Sequence, residues 1–193
     1  LTKERMLVSF EPRVLIRYTL VEAHSPTTLR LKPYLAFRSV HELAKENNDA
    51  NTDMREVENG RVNRMYGAFP ELFMQCSKKV EYTHAPAWYK NIQYYKEEER
   101  GFDYKEDQLV PGYFEMPIKK GESVIFSAGI SEVNTKTLKT LWKKELDRRV
   151  ARNNMFGCLT NAASQLYKRE GDKCYLLAGY PWFKASAREE FMA

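Results

Sequence analysis

Hydrophobic and polar residues alternate along much of the chain up to residue 129, as they do in half-buried β-strands. Two apolar runs that flank Glu11-Pro12 predict the first pair of strands, at residues 6–10 and 14–21. Later runs of the same kind predict strands at residues 29–37, 61–66, 72–76, 80–84, 112–118 and 123–129. The pattern therefore favours a β-rich fold for most of the chain.

The predicted turns divide this region further. Asn59-Gly60 is a strong hairpin signal. Residues 119–122 (KKGE) predict a second hairpin that pairs 112–118 with 123–129. Residues 38–59 are polar and predict a long surface loop with a helical turn near residues 41–45. Loops of this length inside a compact domain are often functional.

The period changes after residue 133. Leu138, Leu141, Trp142 and Leu146 have helical spacing, with Asn134 or Thr135 as the predicted cap. A second amphipathic helix is predicted from Met155 to Tyr167, followed by a short apolar segment at residues 174–178. Strands that precede helices in this way favour a mostly β fold, an antiparallel β-sandwich followed by a short α-helical segment.

The segment from Trp88 to Phe114 holds eight aromatic residues interleaved with six acids. Aromatic rings can lie on the C–H faces of a sugar while charged groups bind its hydroxyls, so the segment suits a polyhydroxy ligand. The alternative is that the rings form a packing layer over a sheet and the acids are solvated. The sequence leaves both interpretations open.

Composition and charge narrow the function classes. A net charge of +5 without a basic arm or nucleic-acid motif argues against nucleic-acid binding. No apolar run approaches the length of a membrane span. The cysteines (Cys76, Cys158 and Cys174) are odd in number and widely spaced, which favours a reducing, cytoplasmic compartment over a disulfide framework. The chain begins at Leu1 inside a strand-like run, and we expect it to be a fragment or a processed chain.

No catalytic motif stands out. The histidines (His24, His41 and His84) lack metal-ligand spacing, so no metal and no cofactor is predicted. Paired carboxylates can serve a glycosidase, and the acid runs at residues 97–99 and 106–107 qualify by residue type. Neighbouring side chains on a strand point to opposite faces, however, which makes such runs poor catalytic pairs. The basic residues of 136–152 favour a solvated helix face over a phosphate-binding site.

Three stretches resemble a known family. VLIRYTLVEAHSPTTLRLKPYLAFRSVHEL (14–43), ERGFDYKEDQLVPGYFEMPIKKGESVIFSAG (99–129) and CYLLAGYPWF (174–183) are similar to bacterial and archaeal glycogen debranching enzymes of the amylo-α-1,6-glucosidase type. The resemblance implies a supersandwich, mutarotase-like N-terminal domain that precedes an (α/α)6 barrel. The barrel would hydrolyse α-1,6-linked glucose at the branch points of glycogen or limit dextrin.

The same resemblance implies a division of the chain. Residues 1–131 would be the later part of the sandwich, 132–152 a connecting helix and 153–193 the start of the barrel. The catalytic carboxylates would lie beyond Ala193, so no catalytic residue is assigned and the chain alone is expected to be inactive.

The resemblance also implies site residues. In the family, the motif GYPWF is followed by Arg-Asp that holds hydroxyls of the terminal glucose. Arg188 matches this Arg, and Glu189 stands one methylene longer in place of the Asp. Trp182, Arg188 and Glu189 are therefore predicted sugar-binding residues, and the aromatic segment described above adds Trp88 and Tyr89 to that set. The predicted contacts to the barrel domain are Arg100, Asp103, Glu106 and Asp107.

Two other functions remain open. One is an independent glucan-binding or scaffold module without an enzymatic role. The other is a self-sufficient lyase or mutarotase, which needs a cluster of histidines and acids that the scattered histidines do not supply. If leading strands are absent, unpaired sheet edges also predict self-association.

Overall fold

In the computed structural model, residues 1–179 and residue 185 are described. The chain divides into two compact units, Leu1–Leu141 and Trp142–Ala193. The first unit is mostly antiparallel β structure arranged as a sandwich, and a short helical segment follows it. The predicted fold class is therefore confirmed.

The larger sheet has six strands in the order β1-β2-β9-β6-β5-β4. They are β1 (Thr2–Leu7), β2 (Arg13–Thr19), β4 (Arg55–Val57), β5 (Gly60–Asn63), β6 (Leu72–Cys76) and β9 (Ser123–Gly129). The smaller sheet has the order β3-β8-β7, formed by β3 (Thr27–Leu31), β7 (Glu81–Gln93) and β8 (Lys105–Ile118). The helix α1 (Tyr95–Glu99) lies in the connection between β7 and β8.

The core lies between the two sheets. Phe114 of β8 is fully buried, and its ring centroid lies 5.7 Å from that of Phe126 on β9 and 5.0 Å from that of Tyr82 on β7. Leu29 and Leu31 of β3 join the same cluster. The alternation in each strand thus places one set of apolar side chains on the facing surfaces of the sandwich.

The opposite face of the larger sheet is also covered. Gln75 is fully buried there; its side-chain amide donates to the Val133 carbonyl, and its side-chain oxygen accepts from the Val133 N–H. Arg13 donates to Ser127 and to Ser131. These polar contacts hold residues 130–138 against the sheet, because buried polar groups require partners.

The hairpin predicted around residues 119–122 is wrong. β8 pairs with β3 and β7, whereas β9 pairs with β2 and β6, so the turn carries the chain from one sheet to the other. Gly121 adopts φ +79° in this turn. The carboxylate of Glu122 accepts from the Lys119 N–H and from the Lys78 ammonium group. A hairpin within one sheet and a crossover between two sheets show the same alternation and turn residues in sequence. The local pattern therefore does not distinguish them.

Other element boundaries also differ from the predicted ones. The strand predicted at 80–84 continues as β7 to Gln93, because its aromatic residues pair with β8. The two-residue loop of the β4–β5 hairpin is Glu58-Asn59, with Asn59 at φ +49°, so Gly60 is already paired. Self-association through the edge strands stays a prediction.

The helical segment holds α2 (Leu138–Asp147) and α3 (Met155–Ser164). Asn134 caps a 3-10 turn at Thr135–Thr137 that leads into α2, as predicted. Asn154 caps α3 by accepting from the Gly157 N–H at 2.8 Å. α3 ends earlier than predicted, and residues 167–176 instead form the antiparallel pair β10 (Tyr167–Glu170) and β11 (Lys173–Leu176).

Candidate functional site

The most concentrated polar site in the first unit lies where β7 and β8 meet their connecting loop, beside the pair Ile92–Glu106. Two adjacent acids of β8, Glu106 and Asp107, are buried there. The loop that follows β3 runs beside them: the Leu35 N–H donates to the Leu109 carbonyl and the Asp107 N–H donates to the Ala44 carbonyl. The loop is therefore attached to β8 at two points.

Glu106 is the centre of this site. Its carboxylate forms a bidentate ion pair with Arg38, in which Nη2 lies 3.1 Å from Oε2. The Ala44 N–H donates to Oε1 at 3.1 Å, and the side chains of Gln108 and Tyr94 donate to Oε2. The Glu106 side chain is inaccessible to solvent, whereas Arg38 remains 20% exposed. A buried carboxylate with this many donors is strongly favoured in its ionised form.

The pKa values agree with this geometry. Burial raises the pKa of Glu106, but the hydrogen bonds from Arg38, Tyr94 and the Ala44 N–H outweigh burial and lower that pKa to about 2. Burial and the neighbouring Glu106 carboxylate raise the pKa of Tyr94. Glu106 is thus an anchoring anion at neutral pH and is unsuited to act as a general acid.

Asp107 ties two further backbone segments together. Its carboxylate accepts from the Asn91 N–H at 2.8 Å and from the Glu46 N–H at 3.1 Å. These backbone hydrogen bonds lower the pKa of Asp107. Asn91 adopts φ +55° at a bulge in β7. The carboxylate compensates this uncommon backbone conformation and fixes the loop beside it.

The remaining predicted interface residues lie at the outer end of the hairpin. Asp103 lines an open cleft of about 370 Å³ together with Leu43, Lys45, Tyr104 and Lys105. Arg100 is exposed, pairs with Glu97 at 3.6 Å and lies over the ring of Phe102 at 5.2 Å. The carboxylates of Glu106 and Asp107, by contrast, accept hydrogen bonds from groups within the same unit. The interface role of these four residues stays a prediction.

The predicted sugar-binding aromatics lie on opposite faces of β7. Trp88 is partly buried and packs against the sandwich core. Tyr89 lies on the outer face, where its ring meets that of Tyr34 edge-on at a centroid distance of 5.0 Å. The ammonium group of Lys32 donates to the Tyr89 hydroxyl at 3.1 Å. Tyr34 and Lys32 were not predicted from the sequence. Arg30, Lys32 and Tyr34 are two residues apart, a spacing that places side chains on the same face of an extended segment.

Three predicted sugar-binding residues lie outside the described residues: Trp182, Arg188 and Glu189. Within the described part of the chain, no group of three or more His, Cys, Asp or Glu residues could hold a metal ion. In that same part, none of the helices is long and apolar enough to cross a membrane.

Comparison with known families identifies the chain. A family model described as "Glycogen debranching enzyme N terminal" matches residues 1–125. This match covers more than half of the 193 residues, and the chain belongs to that family. It confirms the resemblance found in the sequence. No curated protein and no solved structure gave a significant match.

The position of Trp88 leads to a test of its role. Replacing Trp88 with alanine is expected to lower the free energy of unfolding by about 2–4 kcal/mol, because a large ring is removed from the margin of the core. Urea unfolding at pH 7 measures the change. Tyr95→Ala is the matched control, since Tyr95 is 68% exposed. Equal stabilities of the Trp88 variant and the control would show that Trp88 contributes no packing.

Proposed function

We propose that this chain is the N-terminal region of a glycogen debranching enzyme, where it supports the catalytic barrel and shapes the approach of a branched α-glucan. The observation that carries the proposal is the family match across residues 1–125. The barrel would be an α-1,6-glucosidase acting on glycogen or limit dextrin. In this proposal residues 132–152 connect the sandwich to the barrel, and residues 153–193 begin it.

The chemistry of the polar site supports a positioning role over a catalytic one. Glu106 and Asp107 are both buried, and every hydrogen bond described for their carboxylates comes from groups within the same unit. Glycoside hydrolysis needs a protonated acid at the leaving oxygen, and a carboxyl with a pKa near 2 is ionised at neutral pH. The proposal therefore assigns this pair to fixing the loop at 38–46.

The proposal extends to the second unit and to the compartment. Trp182, Arg188 and Glu189 would contact the terminal glucose at the entrance of the barrel. The cysteines at 76, 158 and 174 are free, and burial raises the pKa of Cys76 to about 12. Free thiols suit the reducing cytoplasm that the proposal requires.

Glucose release from phosphorylase limit dextrin tests the proposal. We expect none from the purified chain and clear release from a polypeptide in which the chain continues into the barrel. A polypeptide that begins at residue 153 should lose most of that activity. Glucose release by the chain alone, or full activity without residues 1–152, would overturn the proposal.

A further inference from the structure

The outer face of the β3-β8-β7 sheet carries polar and aromatic side chains on adjacent strands. Leu29, Leu31 and Phe114 point into the core, so their strand neighbours point outward. The strand register places Arg30 opposite Glu115 and Tyr113 opposite Thr83. Lys32 and Tyr34 extend the row of Arg30 past the end of β3, over a length of about 13 Å for four extended residues.

Part of this face is already ordered. The guanidinium of Arg30 lies 4.4 Å from the centroid of Tyr113 and 2.8 Å from the Glu115 carboxylate. Tyr34 contacts Tyr89 edge-on, and Lys32 donates to the Tyr89 hydroxyl. Tyr34 as a whole remains 46% exposed. Side chains held in this way lose little conformational entropy when a ligand binds.

We propose that this face binds a linear segment of α-glucan, with the Tyr34–Tyr89 pair as the stacking platform. The exposed ring would take the C–H face of one glucose unit and Lys32 would donate to hydroxyls of that unit, while Arg30 would donate to a unit further along the polymer. The inference rests on the proposed function for the identity of the polymer. It places a chain of the substrate on the sandwich domain, away from the polar site at Glu106.

The chemistry of the face favours a neutral polyhydroxy ligand over other occupants. Arg30 is neutralised by Glu115, which leaves too little positive charge for a polyanion. Ala87 and Val110 also point outward, but Val110 is only 2% exposed, so the face offers little of the exposed aliphatic surface that the core of a protein–protein interface usually has. Aromatic rings beside fixed donors are the combination that a sugar chain requires.

Affinity electrophoresis through a gel that contains glycogen tests the inference. We expect retardation of the wild-type chain and an apparent Kd raised on the order of tenfold in the Tyr34→Ala/Tyr89→Ala variant, as expected when two ring contacts are lost. Tyr34→Phe keeps the ring and should keep most of the retardation. Tyr95→Ala removes an exposed tyrosine of α1 and should be retarded like the wild type.

A second measurement covers the case in which the double variant fails to fold. Titration of the wild-type chain with maltoheptaose should shift the backbone amide NMR signals of Arg30, Lys32 and Thr83. Absence of retardation in the wild type, equal retardation of a folded double variant, or shifts confined to other parts of the chain would overturn the inference.

The outcomes also separate this inference from the proposed function. If the chain is not retarded while the barrel-linked polypeptide releases glucose from limit dextrin, the glucan surface is wrong and the proposed function stands. If retardation depends on the tyrosines but that polypeptide releases no glucose, glucan binding stands and the debranching function is wrong.

Discussion

Replacing Glu106 with alanine is expected to lower the free energy of unfolding by about 3 kcal/mol or more, since the loss of one partner leaves a buried charge and its hydrogen-bonding groups unsatisfied. Arg38, the Ala44 N–H and the Tyr94 hydroxyl all donate to this carboxylate. The loop at 38–46 should detach first, because Glu106 and Asp107 are its polar anchors. Urea unfolding at pH 7 gives the stability, and hydrogen exchange at the Ala44 amide reports the loop.

Two variants make the Glu106 test specific. Glu106→Gln keeps the size of the side chain but removes its charge, so its loss of stability should be smaller than that of Glu106→Ala. Glu99→Ala removes an exposed acid that pairs with Lys96, and surface pairs contribute at most about 1 kcal/mol. A Glu106→Ala protein as stable as the Glu99→Ala protein would contradict the anchoring role.

The depressed pKa of Glu106 also predicts a pH dependence. The folded protein holds this pKa at about 2, against 4.5 for the unperturbed group. The unfolded chain therefore binds the proton first as pH falls, and the stabilisation is complete only above the unfolded pKa. It should be lost progressively from about pH 5 to pH 2. The stability difference between wild type and Glu106→Gln should shrink across this window, and an unchanged difference would contradict the assignment.

Replacing Phe114 with alanine is expected to destabilise the protein by about 3–5 kcal/mol, the usual cost of removing a fully buried phenyl ring. Phe114 contacts Tyr82 within its own sheet and Phe126 across the sandwich, so its ring joins the two sheets. The cavity should therefore weaken both sheets together. Thermal and urea unfolding measure the loss.

Matched variants separate packing from general hydrophobicity at Phe114. Phe114→Leu retains most of the apolar volume and should cost less than the alanine variant. Phe102→Ala removes an equal ring that is 56% exposed, and its effect should stay within about 0.5 kcal/mol. If Phe102→Ala lowers the free energy of unfolding as much as Phe114→Ala does, burial of the Phe114 ring is not the cause of its effect on stability.

Several features of this protein follow from sequence alone. The apolar run at 123–129 correctly predicts the strand β9 (Ser123–Gly129). Asn134 precedes a helical run and caps its first turn, as predicted for a short polar side chain. The quoted stretches at 14–43 and 99–129 pointed to the family whose model matches residues 1–125. Side-chain period, capping and the residues within each motif are local signals, because they depend on neighbouring residues.

Only the tertiary structure decided which strands pair and which acid is buried. Residues 112–118 and 123–129 fit a hairpin locally, yet contacts with β3, β7, β2 and β6 place them in different sheets. Glu106 resembles the other acids of its segment in sequence, and it becomes the anchor because Arg38, 68 residues earlier, reaches it. The tyrosine face likewise joins Tyr34 to Tyr89 through strand order. Strand pairing and burial depend on partners that are distant in the chain, and these partners do not affect the local periodicity of the sequence.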